Sequence, residues 1–349
     1  MRGVFQVDRA PSGSLPIRTA ASTAATEPPP TGLQLLGRIA GHAWAQTRAE
    51  GPADGLRVLL GAGRMLGEQA VLAQLFAIPA FAQAMAVQRQ ADVLFFISHR
   101  HFLSRDFSTV ERMACVLDHF RFEQARFMPA LLQALHDDGL RLWSEAGACE
   151  IRLHANACTR HEGPLSLMLR RDGETLHELS FAWVAAGRVG AGACGPVLFV
   201  TRSQSAPPHA PALARFREDF PQNSPAYFVL AALNGLVMAL GQQRIVGVRG
   251  SCQIAFEPAR EASFKRSYDD FWLGFGGRCL GRHGLEMAVP TAVVPLAQLP
   301  AKHRARARQR REHWRQIADA ARAALSPHLR CDIDAVQHWL MHSLPSSRP

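Results

Sequence analysis

The pattern of hydrophobic and polar positions divides the chain into a helical part and a strand-rich part. Residues 33–145 have the apolar spacing and composition of helices. Within them, Ser108–Thr109–Val110–Glu111 is a capping box, in which the serine accepts a backbone N–H and the glutamate reaches back to the N-cap. The box predicts a helix that begins there, runs through His119 and is restarted or kinked at Pro129.

After residue 145 the composition becomes that of strands. Asp172–Gly173 is a tight-turn pair between the second and third of these segments, so we expect those two segments to form a hairpin. Pro290 interrupts the last segment, because proline cannot donate a hydrogen bond to a strand ladder. The predicted strands are 149–158, 164–171, 175–184, 195–204, 244–250 and one within 285–295.

The longest apolar run lies between the fourth and fifth predicted strands, from Pro225 to Gly241. It carries Asn234 in its middle and is too short and too polar for a transmembrane span. It is apolar on every face, which predicts a buried central helix. The order of an antiparallel meander, a buried helix and a further strand predicts an α+β fold. That order resembles GNAT-type acyltransferases, whose central sheet opens between two strands to admit an acyl donor.

Positive charge is concentrated towards the C-terminal end of the chain. The net charge is +10 with histidines neutral, and residues 302–322 hold eight basic and two acidic side chains. The spacing of apolar residues predicts that this segment is a helix docked by one face. Those residues are Trp314, Ile317, Ala321 and Leu325. The basic face is interpreted as a solvated surface or as a site for an acidic protein or an anionic membrane. Nucleic acid is disfavoured, because the segment lacks aromatic residues spaced for base stacking.

These patterns predict three regions. Residues 1–32 are rich in Ala, Ser, Thr and Pro, contain no apolar run typical of a secretory signal, and are predicted to be a disordered leader. Residues 33–145 form the helical region, and residues 146–345 form the sheet region with its C-terminal helices. The length suits one compact domain over 33–345 with a large core.

Several chemical classes are disfavoured by the sequence. Seven cysteines lie singly with no C-x-x-C pair, which argues against a disulfide framework and indicates a reducing cytoplasm. Four histidines, His99, His101, His154 and His161, lack a recognisable metal-ligand spacing. The phosphate loop, the G-x-S-x-G elbow and the dinucleotide-binding glycines are missing. We therefore expect no metal, no cofactor and a cytoplasmic location, with or without peripheral attachment to the inner membrane.

The stretch SYDDFWLGFGG, residues 267–277, combines aromatic residues with two adjacent aspartates. One interpretation is an aromatic anchor whose aspartates hydrogen-bond nearby backbone. The other places Asp269 or Asp270 at a pocket wall beside Trp272, where burial would raise the carboxyl pKa and create a general base. If the segment is a strand, the two aspartates point to opposite faces.

This stretch and several other features resemble the VirK/YbjX family over roughly residues 90–320. The features are His119 on a helix, His161–Glu162–Gly163 before a strand, LHELSFAWV, Gln204 at a strand end, Tyr268–Asp269–Asp270–Phe271–Trp272, Gly276–Gly277 and the basic segment 299–311. Two positions depart from the family pattern: Gly274 stands where the family has an acid, and Ser205 where it has a glycine. The resemblance implies a bacterial protein tied to the cell envelope, linked to virulence, surface-protein display and lipid A.

Two functions agree with these observations. The first is an acyltransferase that modifies an envelope lipid or protein. Coenzyme A is disfavoured as its donor, because residues 202–214, RSQSAPPHAPALA, lack the glycine-rich loop that cradles pyrophosphate. An acidic acyl-carrier protein that meets the basic helix is expected instead. The second function is a non-enzymatic peripheral membrane factor that aids the assembly of surface components.

The candidate site residues fall into three groups. The candidate catalytic residues are Asp269, Asp270 and His119. The candidate substrate-binding residues are Glu162, Gln204, Tyr268 and Trp272. The candidate partner-binding or membrane-binding residues are Lys302, Arg304, Arg308 and Arg311.

Overall fold

A mixed sheet forms the centre of the molecule. The structure is a computed structural model that describes residues 30–87, 94, 97–98, 101–145, 149–155, 160–192, 195–207 and 210–330. Within these ranges the sheet has eight strands in the order β1-β2-β3-β4-β5-β6-β8-β7. The strands are β1 (Leu140–Glu145), β2 (Cys149–Ala155), β3 (Leu165–Arg171), β4 (Glu174–Ala185), β5 (Pro196–Ser205), β6 (Arg244–Val248), β7 (Arg278–Leu280) and β8 (Gly284–Ala288).

The helices precede the sheet, connect β5 to β6, and close the described part of the chain. Before the sheet come α1 (Gly32–Glu50), α2 (Pro52–Arg64), α3 (Gln69–Phe76), α4 (Pro79–Val87), α5 (Thr109–Arg126) and α6 (Pro129–His136). Between β5 and β6 lie α7 (Pro211–Asp219) and α8 (Pro225–Ala239). After β6 comes a helical segment, α9, which consists of Glu261–Phe264, the π-helical Lys265–Asp270 and Phe271–Leu273. The last helix, α10, is Ala301–Leu325.

The predicted fold class is confirmed: a helical N-terminal half is followed by a mostly antiparallel sheet, a buried helix and a basic C-terminal helix. The capping box also forms as predicted, because Ser108 Oγ accepts from the Glu111 N–H at 3.3 Å and Glu111 Oε2 accepts from the Ser108 N–H at 2.7 Å. The predicted hairpin is present as well. Asp172 and Gly173 turn between β3 and β4 with φ of 50° and 83°.

The boundary between helices and sheet lies earlier than the sequence pattern predicts. β1, Leu140–Glu145, falls inside the stretch 33–145 that was predicted to be helical. It pairs antiparallel with β2, and Trp143 packs edge-on against Phe228 at 5.6 Å between ring centroids. A strand of six residues is too short for its alternation of apolar and polar positions to be distinguished from the helical pattern before it. β7, Arg278–Leu280, was missed for the same reason.

The buried helix α8 is the centre of the packing. It packs against β3, β4 and β5 and against α10. A Cβ at Gly235 would overlap the carbonyl oxygen of Ala318, so the glycine allows the two helix backbones to approach closely. The apolar face predicted for α10 docks here, with Ile317, Ala321 and Leu325 buried. One cluster of buried apolar side chains extends from α1 to α10.

The two halves of the sheet join through its one parallel pair, β5 and β6. Leu198–Val200 of β5 pair with Ile245–Gly247 of β6, and every other described pair is antiparallel. β5 continues to Ser205, whereas β6 ends at Val248. The last residues of β5 therefore keep β4 as a neighbour on one side and have no described strand on the other, so the sheet is split at this point.

Four predicted features lie outside the described residues. They are most of the predicted leader, the end of the third region, His99 and the last part of segment 149–158. The four cysteines that are described are free: Cys115, Cys149, Cys252 and Cys279. Among the described helices, no single one is long and apolar enough to cross a membrane. A bent pair, Leu66–Phe76 and Pro79–Ala86 at 98°, meets that test by length and composition alone.

Candidate functional site

A cleft of about 180 Å³ lies at the split in the sheet, between the end of β5 and the helical segment α9. One wall comes from β5 and from the turn before β3, and the other from α9 and the loop that follows β6. The polar residues that line it are Glu162, Ser203, Gln204, Gln253, Arg260, Ser263, Ser267 and Tyr268. Three of the four predicted substrate-binding residues, Glu162, Gln204 and Tyr268, are thus brought together from distant parts of the chain.

Glu162 is held at the cleft by a turn that lies against the sheet. Gly163 has φ of 150°, and a Cβ there would be 2.8 Å from the backbone N and O of Phe181 on β4. Only glycine can lie this close to a strand in this conformation. The Thr201 hydroxyl also donates to the Glu162 carbonyl oxygen. The His-Glu-Gly motif therefore lets the chain press onto the sheet and direct Glu162 at the end of β5.

The Glu162 carboxylate is buried and held at both oxygens. Gln253 Nε2 donates to Oε1 at 2.6 Å, and Arg202 Nε lies 3.1 Å from Oε2. Burial raises the pKa of the Glu162 carboxyl above its ordinary value, and repulsion from Glu178 adds to the rise. Arg202 and Gln253 lower this pKa, but they offset the effect of burial only in part. The site thus holds a carboxylate whose basicity exceeds that of an exposed glutamate.

Arg202 is fixed by several acceptors behind the cleft. It forms ion pairs with both Glu162 and Glu178, and its Nε donates to Gln204 Oε1 at 3.1 Å. Ser166 donates to Glu178 Oε1 at 3.2 Å from the next strand. Two carboxylates therefore share one guanidinium, which sets the orientation of Glu162 and Gln204 at the cleft.

Tyr268 closes the side of the split where a paired strand would otherwise lie. Its side chain is buried. Burial raises the pKa of the Tyr268 phenol, the negative charge of Glu162 raises it further, and the nearby backbone of Ser203 on β5 opposes them. The hydroxyl therefore remains protonated at neutral pH and available as a hydrogen-bond donor.

His177 fixes the end of β5 and was missed in the sequence. Its ring nitrogens lie 2.9 Å from Ser205 Oγ and 3.1 Å from Ser203 Oγ. Burial lowers the pKa of His177 to about 3, with a smaller contribution from Arg202, so the imidazole is neutral. Ser205, which departs from the family pattern, is one of its partners. The signal available in the sequence was a histidine placed opposite two alternate serines on a neighbouring strand.

The SYDDFW stretch is helical and is not the strand considered from the sequence. The residues of α9 that line the cleft are spaced as one helix face: Ser263, Phe264, Ser267 and Tyr268. Arg260, which lies just before α9, continues that spacing. Asp269 and Asp270 follow Tyr268 directly in this helix and are not among the described residues that line the cleft.

The two aspartates have different surroundings. Asp269 Oδ2 accepts from the Gly250 N–H at 2.8 Å, and its Oδ1 lies 3.3 Å from Arg249 Nε. It thereby fixes the loop that ends in Gln253, which in turn donates to Glu162. Asp270 is half exposed and pairs with Lys265 at 3.2 Å on the surface. Neither aspartate lines the cleft as the described residues define it.

Trp272 anchors α9 to the sheet. It is fully buried, and its indole lies so close to Gly247 of β6 that a Cβ there would overlap the ring. Phe271 packs edge-on against it at 4.8 Å between ring centroids. The aromatic residues of the stretch therefore hold the helix that carries Tyr268, and Trp272 itself does not line the cleft in the described part of the chain.

His119 lies on α5, away from the residues that line the cleft. It is buried, and its Nδ1 accepts from the backbone N–H of Trp183 on β4 at 3.2 Å. Its Nε2 lies 3.2 Å from Glu123 Oε1, one helical turn further along. These contacts tie α5 to the sheet.

The four basic residues predicted to bind a partner differ in their contacts. Arg304 Nε donates to the Leu299 carbonyl at 2.9 Å, and Arg311 donates to the Val294 carbonyl, so both hold the loop before α10. Lys302 and Arg308 are exposed and make no ion pair or hydrogen bond with any residue that the structure describes.

Two further observations concern the chemistry of the site. Gly274, where the family pattern has an acid, is exposed and does not line the cleft among the described residues. Within the described ranges, no group of three or more His, Cys, Asp or Glu side chains could hold a metal ion.

The fold and the cleft define an α+β protein with a buried carboxylate and a buried phenol at a split in a mixed sheet. A family profile matches residues 64–191 and 224–323, which together are more than half of the chain. The chain belongs to this family, described as "Protein of unknown function (DUF535)". The matched parts include Glu162, Gln253 and Tyr268, and β5 lies between them. No curated protein and no solved structure matches the chain.

Proposed function

We propose that this protein is a VirK/YbjX-like, envelope-associated acyltransferase that acts from the cytoplasmic side on an envelope lipid or protein. The observation that carries the proposal is the buried Glu162 carboxyl of raised pKa beside the protonated Tyr268, at the point where β5 and β6 separate. A base and a hydrogen-bond donor in one desolvated cleft are the groups that acyl transfer requires. The split between parallel strands is also the feature shared with GNAT-type acyltransferases.

The reaction assigns one role to each group. Glu162 accepts the proton of the acceptor hydroxyl or amine as that atom attacks the thioester carbonyl of the donor. The new C–O or C–N bond forms while the C–S bond breaks, and the proton passes from Glu162 to the departing thiolate. Tyr268 donates a hydrogen bond to the negative charge that develops on the carbonyl oxygen.

Position favours Glu162 as the proton acceptor, because it lines the cleft, whereas the other three candidates are not among the described residues that line it. Asp269 is engaged by the Gly250 N–H and Arg249, and His119 by the Trp183 N–H and Glu123. Asp270 is half exposed at the surface. We propose that Asp269 is a positioning residue, which fixes the loop that brings Gln253 to Glu162.

We propose an acidic acyl-carrier protein as the donor. Lys302 and Arg308 extend into solvent without partners among the described residues, so they are available to meet an acidic surface. The segment that follows β5 lacks the glycine-rich loop that would bind the pyrophosphate of coenzyme A.

The test uses purified protein, an acyl-carrier protein loaded with a labelled acyl chain, and an extract of envelope lipids and proteins. We expect the label to move to one discrete species, with a mass increase of one acyl chain. Glu162→Gln should lower the transfer rate by roughly 10²–10⁴-fold, the usual contribution of a general base. Glu174→Gln makes the same chemical change at the exposed start of β4 and should leave the rate unchanged. The proposal is wrong if folded wild-type protein leaves the label on the carrier, or if the two variants are equally active.

A second candidate function is a peripheral membrane factor without enzymatic activity. It is favoured by one observation: Val293 and Val294 are exposed in the loop that Arg311 holds against α10. The same helix carries the exposed Lys302 and Arg308. Apolar side chains next to basic ones suit an anionic bilayer surface. Lys302→Glu with Arg308→Glu should then abolish flotation with anionic vesicles. In the transferase, the same variant should raise the KM for the carrier protein, in a salt-dependent way, and keep kcat.

A further inference from the structure

The helical hairpin α1–α2 has an unusual distribution of apolar residues. Of the twelve large apolar side chains that are exposed among the described residues, six lie on these two helices. They include Leu33 at 84% exposure and Trp44 at 64%, and we call the set the hairpin face. Its residues are Leu33, Leu36, Trp44, Leu56, Leu59 and Leu60. Scattered exposed leucines are ordinary, but a cluster on one element indicates a surface that binds something.

Each helix of the hairpin carries two apolar faces. In α1, Leu35, Ile39 and Ala43 are buried against the body of the protein, while Leu33, Leu36 and Trp44 follow a separate stripe. In α2, Val58 and Ala62 are buried, while Leu56, Leu59 and Leu60 are exposed. A helix that only covers a core needs the first face alone. Contacts within the described residues do not account for the second face.

The hairpin is firmly attached, so its exposure does not come from a detached segment. A Cβ at Gly55 would be 2.8 Å from the Ala43 carbonyl oxygen and would overlap the Thr47 side chain, so α1 and α2 are closely packed. Arg38 Nη1 also donates to the Phe76 carbonyl at 2.7 Å, which ties α1 to the end of α3. The hairpin face is therefore presented on a rigid support.

We propose that the hairpin face inserts into the surface of an anionic lipid bilayer. Arg48 follows Trp44 by four residues and Arg64 follows Leu60 by four, so each apolar stripe ends in an exposed arginine one turn further on. These two arginines have no ion-pair partner among the described residues, whereas Arg57 pairs with Asp54. Apolar stripes bordered by arginine and containing an exposed tryptophan are typical of helices that lie in the plane of a membrane surface.

The lipid surface is favoured over other occupants by this charge pattern. The unpaired arginines would meet the phosphates of the headgroups while the leucines and the indole enter the acyl boundary. Two copies of the hairpin face joined to each other would instead bring like charges together. The family profile begins at residue 64, so α1 and nearly all of α2 lie before the matched region.

Insertion of the hairpin face into a bilayer would not depend on the proposed transferase activity.

The test is flotation of the full-length protein with vesicles of phosphatidylcholine and phosphatidylglycerol. We expect the wild type to float, and Leu36→Glu with Leu59→Glu to reduce the bound fraction by roughly tenfold or more, since two apolar contacts are replaced by charge. Val110→Glu is the matched control, because Val110 is a similarly exposed apolar residue on α5. Both changes are at exposed positions, and thermal unfolding measured beside flotation verifies that each variant is folded.

Quenching by brominated lipids locates the contact. We expect vesicles with brominated acyl chains to quench part of the tryptophan fluorescence in the wild type, and that part to disappear in Trp44→Phe. Lys302→Glu with Arg308→Glu should retain the Trp44 quenching, which separates the hairpin face from α10.

Three results would overturn the proposal. The first is equal flotation of the hairpin variant and the Val110→Glu control. The second is a concentration-dependent dimer that the hairpin variant abolishes, which would make the occupant a second copy of the chain. The third is protection of Trp44 from iodide quenching in the lipid-free protein, which would mean that another part of the chain covers the face.

Discussion

Glu162 and Tyr268 show how one environment prepares two groups for different tasks. Burial raises the pKa of both, but the consequences are opposite in kind. The pKa of the carboxyl moves towards neutral pH, so the carboxylate becomes a better proton acceptor. The pKa of the phenol moves further above neutral pH, so the hydroxyl stays a hydrogen-bond donor. The raised pKa of Glu162 depends on Arg202 and Gln253, which hold the carboxylate but offset the effect of its burial only in part.

The raised pKa of Glu162 predicts a pH dependence of stability. The pKa is higher in the folded protein than its ordinary value of 4.5, so the folded state binds this proton more tightly than the unfolded chain does. Its contribution to the free energy of unfolding is fully present below the ordinary pKa and is lost as the pH rises through the folded value. Glu162→Gln removes this contribution.

The measurement is the free energy of unfolding of the wild type and Glu162→Gln by urea, from pH 4 to pH 8. The difference, variant minus wild type, should increase as the pH rises above the ordinary glutamate pKa and then level off. A difference that is constant with pH would contradict the raised pKa. Glu174→Gln, at an exposed position, provides the baseline.

The adjacent aspartates are predicted to behave differently. Asp269→Ala leaves the buried Gly250 N–H without its acceptor, which should lower the free energy of unfolding by about 1–3 kcal/mol. If the proposed transferase activity is present, the loosened Gln253 loop should also slow it. Asp270→Ala removes only a surface pair and should stay within about 0.5 kcal/mol of the wild type. Chemical denaturation of both variants checks this, and equal losses would contradict it.

At the scale of elements, the site depends on a helix that the sequence did not reveal. The sequence identified the aromatic stretch but not its conformation, because Asp-Asp and Gly-Gly suggest a turn while the packing of Trp272 against Gly247 selects a helix. The capping box, the Asp172–Gly173 hairpin and the buried α8 were predictable, since each is specified by residues close together in the chain. The convergence of Glu162 and Tyr268 was not, because the split that joins them is a property of the whole sheet.

The crossing of α8 and α10 gives a prediction at this scale. Gly235→Ala places a methyl group onto the Ala318 carbonyl oxygen, which belongs to the backbone of α10 and moves only if the helix shifts. We therefore expect a loss of about 1–3 kcal/mol in the free energy of unfolding. Gly41→Ala is the control, because Gly41 lies inside α1 with open space around its Cβ position and should gain up to about 1 kcal/mol. Thermal and urea unfolding of both variants measure the two effects, and a neutral Gly235→Ala would show that the helices separate without cost.

At the scale of the whole molecule, surface properties are distributed unevenly over a continuous core. The excess positive charge lies mainly on α10. Among the described residues, the largest group of exposed apolar side chains lies on α1 and α2. The sequence predicted the first, since charge is counted directly. It did not predict the second, because an apolar residue on an amphipathic helix is expected to be buried until the body of the protein shows which stripe it covers.

The short parallel contact between β5 and β6 has a consequence for the dynamics of the protein. Three residue pairs join a five-stranded meander to a three-stranded unit, so the parallel contact is a narrow junction within the sheet. We expect amide hydrogen exchange to distinguish the two units through opening at this junction. A ligand bound in the cleft would contact Gln204 on one side and Tyr268 on the other. Its binding should slow the opening of that junction and make the two halves exchange as one.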